Sequence, residues 1–138
     1  MSSIVVDAGP LIALFDRDDR YHSRAVEFVR TCRSALVTNL AVLTEATFLL
    51  RFSVEAQRDL LLWCHDALEI DIGTAGDLPR IAVLIEKYRD LPADFADASL
   101  VAMAERLGLS RVASLDKNFA VYRAVGKRAF DNVFLRGA

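Results

Sequence analysis

Four short apolar runs constrain this chain most: S-I-V-V at 3–6, A-L-V at 35–37, L-E-I-D-I at 68–72 and R-V-A-S-L at 111–115. Runs this brief read as strands, whereas the stretches between them repeat apolar residues every three or four positions and read as helices. Strands that alternate with helices build a parallel sheet covered on both faces. The expected fold class is therefore α/β, a three-layer α/β/α sandwich around a mostly parallel sheet. In such sheets ligands lie beyond the carboxyl ends of the strands, so chemistry is sought in the residues that follow each run.

Local signals refine this layout. Pro10 in A-G-P-L-I-A-L-F marks a first helical position, so the first strand runs almost directly into a helix. Asp16 to Arg20 is a charged turn, followed by a helix over about 21–32. Thr38 is placed to cap a helix over 39–51 and Ser53 to cap another over 54–66. Asp77 and Pro79 open a helix to about Arg89, Leu91-Pro92 breaks it, and a further helix runs from Ala93 to Leu107, stopped by Gly108. The last twenty residues hold room for a short helix and an edge strand.

With 138 residues and 54% apolar content the chain suits one domain, 1–138, with a sizeable core. Its mean hydropathy of +0.27 is high enough that part of the apolar surface is expected to face a partner subunit. The net charge of −2 excludes a generally basic nucleic-acid coat. Cys32 and Cys64 have neither disulfide-framework nor zinc spacing and read as small buried hydrophobes in a reducing cytoplasm. No apolar run approaches the ~18 residues of a membrane span, and Asp7 interrupts the N-terminal stretch, against a signal peptide.

The chemistry-bearing residues are acids. Asp7 and Asp116 each follow an apolar strand and project at the carboxyl edge of the sheet; turn formation alone would also place an Asp there. Glu45 has Ala41, Val42, Phe48 and Leu49 at helical spacing, which puts it on a stripe expected to be buried. A buried carboxylate requires a cation or hydrogen-bond partners; the structural alternative is a salt bridge to Arg51 or Arg24. Asp97 sits similarly among Ala93, Leu100 and Val101, with Asp94 three residues before it as a helix-start acid. Ionised carboxylates ~4 Å apart repel by ~4 kcal/mol at an effective dielectric of 20, and a divalent cation relieves this while leaving every acid charged. An all-oxygen set without His or Cys favours Mg²⁺ or Mn²⁺, and the implied chemistry is phosphodiester hydrolysis with a metal-activated water. Ser114, two residues before Asp116, is positioned to hydrogen-bond a carboxylate or phosphate, or to be an ordinary strand hydroxyl.

These segments together resemble the PIN domain, and specifically the VapC-type toxin ribonucleases of bacterial toxin–antitoxin pairs. The resemblance spans nearly the whole chain: V-V-D-A-G-P-L-I-A-L at 5–14, the acidic turn and histidine at 16–22, A-V-L-T-E-A at 41–46, A-D-A-S-L-V-A-M-A at 96–104 and S-L-D-K-N-F at 114–119. It implies a Mg²⁺- or Mn²⁺-dependent endoribonuclease, with the family's acids on Asp7, Glu45, Asp97 and Asp116 and an accessory acid at Asp94, the choice between 94 and 97 staying open. Ala8 stands where the pattern often has Thr, and Ser114 where Thr is usual. The resemblance also implies a homodimer and a cognate antitoxin protein, for which apolar side chains on the helices of 21–32 and 39–66 offer a groove.

Charge distribution fits an RNA substrate in part. Residues 54–105 carry four basic and eleven acidic side chains, net −7, whereas 111–138 carry six basic and two acidic, net +4. Lys117, Arg123, Lys127 and Arg128 are the candidate phosphate contacts. Rival readings are a non-catalytic binding module of the same fold, a phosphate-signalling receiver, and a metal-independent ribonuclease using His22 and His65. The receiver lacks its paired early acids, and neither G-x-x-x-x-G-K-[ST] nor G-x-G-x-x-G is present.

Overall fold

The computed structural model describes residues 2–136. In chain order the elements are β1 (Ile4–Val6), α1 (Ala8–Phe15), α2 (His22–Thr31), β2 (Leu36–Asn39), α3 (Leu40–Leu49), α4 (Val54–Ala67) and β3 (Glu69–Asp71). They continue with α5 (Thr74–Lys87), α6 (Phe95–Leu107), β4 (Arg111–Ala113), 3-10 turns at Lys117–Ala120 and Val125–Lys127, and β5 (Asp131–Asn132). The strands form one five-stranded sheet in the order β3-β2-β1-β4-β5, and every pairing is parallel. The expected α/β/α architecture is thus what the chain adopts, with β5 as the edge strand.

β1 and β2 are buried along their whole length, which is why they read as continuous apolar runs rather than alternating ones. α5 packs along α6, α1 packs on α2 and α4, and α3 touches both α1 and α6. Nearly all of α6 from Ala96 to Ala104 is buried, so its many alanines serve close approach rather than an amphipathic surface. Gly108 ends it in the left-handed conformation at φ 69°, as its position after Leu107 predicts. Below the C-terminal segment, Phe119 stands edge-to-face with both Tyr122 and Phe130.

Three boundaries differ from the sequence expectation. α1 begins at Ala8 with Asp7 as its cap, so Pro10 is the third helical residue and not the first. The cap of α3 is Asn39, whose side chain accepts from the Val42 amide; Thr38 belongs to β2 and donates its hydroxyl to the Val6 carbonyl. α5 opens at Thr74, leaving Asp77 and Pro79 within it. Asp77 is buried there and, with Asp71, grips Arg106 of α6. Ser53 caps α4 as expected. Cys64 is buried and Cys32 half-buried, both unpaired with each other. Among the described residues no helix is long and apolar enough to cross a membrane.

Candidate metal centre

The sheet order places the site. From β1 the chain moves outward to β2 and β3, then returns across the sheet to β4 on the other side of β1. The carboxyl ends of β1 and β4 therefore flank a topological switch point, where parallel sheets open a crevice. The register pairs Val6 with Ala113, so Asp7 emerges beside Ser114, and its amide donates to the Ala113 carbonyl at 3.0 Å.

Three carboxylates converge in this crevice. One oxygen each from Asp7, Asp97 and Asp116 lies within 4.8 Å of the others. Asp7 and Asp97 are only 4% and 7% exposed. Local hydrogen bonds hold them. Ser114 donates its hydroxyl to Asp7 Oδ2 at 2.8 Å and accepts from the Asp116 amide at 2.9 Å, which ties the two strand-end acids together. Asp7 Oδ1 accepts from the Ala8 amide, and Asp116 Oδ1 from the Asn118 amide. Gly9 lets α1 approach the segment that follows β4, since a Cβ there would stand 3.0 Å from Leu115 Cβ. Each of these acids also sits at the start of a helix or 3-10 turn, whose amide-rich end favours negative charge.

Asp97 stands nearer the start of its helix than the expected bounds of Ala93 to Leu107 place it: it lies in the first turn of α6, and its amide donates to the Asp94 side chain, which is the cap. Asp94 is thus occupied as a capping residue on its amide-facing side and sits outside the close trio. Glu45 differs too. It is half-buried rather than buried, because Phe48 and Leu49 on its stripe are exposed at 59% and 47%. The structural alternative for it fails, because Arg51 lies over the Phe48 ring at 4.0 Å and Arg24 reaches the Phe134 carbonyl. Glu45 instead faces Asp94, and the two line an open cleft of ≈490 Å³ with Ala41, Thr44, Phe48, Phe95 and Ala96. The arrangement is a tight trio with an outer pair of acids beside it.

The electrostatics record this crowding. Asp7 is shifted above the usual carboxylate range by burial, against which the Ser114 hydrogen bond works. Burial, together with the charges of Asp7, Asp94 and Asp116, raises Asp97 to about 8. Glu45 rises to about 7 through burial and the adjoining Asp94 carboxyl, with Asp7 and Asp116 adding to it. At 4.8 Å and an effective dielectric of 20, each ionised pair in the trio repels by ~3.5 kcal/mol.

The donor set fits a hard divalent cation. Oxygens bound to one octahedral ion at ~2.1 Å stand at most ~4.2 Å apart, close to the separation found here. Ligands from β1, β4 and α6 would converge on such an ion, and no His or Cys is among them.

The basic candidates divide. Lys117 is exposed directly after Asp116, and Lys127 and Arg128 are exposed on the second 3-10 turn. Arg123 is partly engaged, donating to the carbonyls of Ala120, Val121 and Tyr122. The histidines take no part in the trio: His22 Nδ1 contacts the Ala13 carbonyl and His65 is exposed beside Asp66. Two positioning residues escaped the sequence reading. Tyr122 is fully buried and its hydroxyl donates to Asp97 Oδ2 at 3.4 Å. Asn39, also fully buried, donates to the Ser99 hydroxyl and so fastens α3 to α6 two residues from Asp97. An Asn between a strand and a helix was the available signal for Asn39; nothing in the sequence around Tyr122 pointed to Asp97.

A parallel sheet with three carboxylates gathered at its switch point defines an α/β protein with a candidate cation site. The model of the PIN domain matches residues 4–125, and the chain belongs to that family. Ribonuclease VapC26 of Mycobacterium tuberculosis (strain ATCC 25618 / H37Rv) is 28% identical over 131 residues, spanning 92% of this chain and 97% of that protein. Among solved structures, the Mycobacterium tuberculosis VapC20 toxin, described as cleaving the Sarcin-Ricin loop, superposes with a TM-score of 0.80 at 21% identity, covering 91% of this chain and 98% of the other. VapBC2 from Rickettsia felis, solved bound to a promoter DNA fragment, gives 0.63 at 12% identity, over 96% and 98% of the two chains. These last two likenesses are of fold.

Proposed function

We propose that this chain is a Mg²⁺- or Mn²⁺-dependent endoribonuclease, a single PIN-like domain over residues 1–138, that hydrolyses RNA phosphodiester bonds with water. One observation carries the reading: Asp7, Asp97 and Asp116 stand within 4.8 Å of one another in a crevice at the end of the sheet. Three acids so close are costly unless a cation joins them. When bound, the cation supplies charge stabilisation to the phosphate and lowers the pKa of the attacking water. Asp7, Asp97 and Asp116 hold it, Glu45 approaches from α3 to complete the acid set, and Asp94 and Ser114 are accessory, the one capping α6 and the other orienting Asp7. Lys117, Lys127, Arg128 and, through what remains free of its guanidinium, Arg123 contact substrate phosphates.

The name of the Mycobacterium tuberculosis relative, a ribonuclease, supports RNA as substrate. The ribonuclease VapC26 relative, with the VapC20 toxin as a neighbour in fold, supports reading the chain as a toxin, and with that reading go action in the cytoplasm, restraint by a cognate antitoxin protein and assembly as a homodimer. Leu40, Leu61 and Leu62 on α3 and α4 are exposed and suit such protein contacts. On α2, Phe28 is half-buried, its ring edge-to-face with Phe134.

The test is cleavage of labelled structured RNA with Mg²⁺, with Mn²⁺ and with EDTA, beside Asp7→Asn and Glu45→Gln. Wild type cuts only with metal, and each variant loses at least about a hundredfold in rate, ~2.7 kcal/mol. Equal cutting in EDTA refutes the metal reading, and binding of RNA without cutting makes the chain a non-catalytic module of the fold.

A further inference from the structure

Beside the carboxylate trio, two phenylalanines stand in water where a core residue would not. Phe48 on α3 is 59% exposed and Phe95, the first residue of α6, is 45% exposed; both line the ≈490 Å³ cleft whose polar members are Glu45, Asp94 and Thr44. That volume is within the range of small-molecule sites, ~300–1,000 Å³. The Arg51 guanidinium lies 4.0 Å from the centroid of the Phe48 ring, so one aromatic already carries a cation on a face. Aromatic rings with an arginine beside a phosphate-handling site are the elements by which proteins hold unpaired nucleotides: stacking on the ring, charge on the backbone. Glu45 and Asp94 add acceptors for the amino and imino hydrogens of a base.

Resting on the endoribonuclease reading, we propose that the cleft between Phe48 and Phe95 binds an unpaired nucleobase next to the scissile phosphate, stacked on one of these two rings. Continuity decides the occupant. Glu45 and Asp94 belong both to this cleft and to the acid set around Asp7, so a chain whose phosphate lies on the trio delivers its neighbouring base here. Arg51 then takes the next phosphate along the strand. A duplex keeps its bases stacked inside and cannot fill the cleft without unpairing.

The test compares kcat/KM for an oligonucleotide cut by wild type with that for the same RNA made abasic, one nucleotide at a time, on either side of the mapped cut. At one flanking position the missing base lowers wild-type kcat/KM by between about fivefold and about a hundredfold, the range of one base–aromatic stack. In Phe48→Ala and Phe95→Ala this penalty falls to within about twofold of none, and Phe48→Trp restores it. Because both side chains are exposed, unchanged melting temperatures verify that the variants fold. A penalty of equal size in wild type and both alanine variants overturns the stacking proposal while the ribonuclease reading stands. A dimer that becomes monomeric in Phe48→Ala, with the base penalty intact, also overturns it and assigns the face to a second copy of the chain. Failure of wild type to cut any RNA with either metal overturns the ribonuclease reading, and this proposal with it.

Discussion

Asp97→Asn should make the metal-free protein more stable, against the usual effect of altering a buried polar side chain. The substitution preserves volume and leaves an oxygen to accept from Tyr122, a bond already long at 3.4 Å. What it removes is a charge within 4.8 Å of two others, worth ~3.5 kcal/mol per ionised pair. The pKa raised to about 8 points the same way, since burial and the charges of Asp7, Asp94 and Asp116 all disfavour ionised Asp97. Relaxation of the site is expected to leave at least ~2 kcal/mol. For 138 residues the unfolding entropy is ~0.3 kcal/mol/K, so the variant melts about 7 °C higher at pH 8.5 in chelator. The gap shrinks as pH falls and closes to within about 2 °C only near pH 4, where the carboxyl of the unfolded chain is protonated as well. Differential scanning fluorimetry at both pH values reads this directly. A variant that melts lower at pH 8.5, or a gap independent of pH, would falsify the cost assigned to an ionised Asp97 in the crevice and make Asp97 a structural acceptor.

The same protons govern wild type. Asp97 and Glu45 titrate at about 8 and about 7 in the folded chain and lower when unfolded, so the native state binds more protons in that window. The metal-free protein should therefore lose stability as pH rises from about 5 to about 8, and saturating Mg²⁺ or Mn²⁺ should reverse the loss, adding ~2.7 kcal/mol at a hundred times Kd; a Tm that ignores metal at pH 8 counts against the site. Ser114→Ala removes the hydroxyl that joins Asp7 to the Asp116 amide. Calorimetric titration should show metal affinity falling at least about tenfold, with stability lowered by ~1–2 kcal/mol. Arg106→Met leaves Asp71 and the buried Asp77 without their cation, and should lower Tm by several degrees without changing metal affinity; a matching loss of metal binding would mean that the α5–α6 contact positions Asp97.

Much of the fold was legible because local and long-range signals agree. A fully buried parallel strand has no polar face, so β1 and β2 stand out as apolar runs, and Ser53 and Gly108 punctuate helices by mechanisms confined to a few residues. The misplaced boundaries have tertiary causes. Thr38 satisfies a carbonyl of β1 across the sheet, which leaves capping to Asn39, and Asp77 answers to an arginine on another helix. Asp7 and Asp116 were readable from strand ends, as position after an apolar run fixes where they emerge. Glu45 was assigned to the acid set for a reason that holds only in part: Val42 on its stripe is buried, whereas Phe48 and Leu49 face solvent, Phe48 beside the cleft. Helical spacing reports which residues share a face and says nothing of what covers that face.

The site also shows why its acids are not distributed at random over the fold. Asp7, Asp97 and Asp116 each begin a helix or turn, and their carboxylates accept backbone amides or stand beside the acid that does. These amides compensate a single carboxylate, at ~0.3–1 kcal/mol per helix end. They do not compensate three, whose mutual repulsion is several times larger. The residual excess of negative charge is local, since the network from Ser114 and Tyr122 orients the oxygens without bringing a cation to them. The described residues pair their arginines elsewhere, Arg106 with Asp71 and Asp77 and Arg80 with Glu105. A protein that needed only to fold would have placed one of those arginines in the crevice. On the proposed function, leaving that place to an exchangeable ion would keep the positive charge where a phosphate can share it.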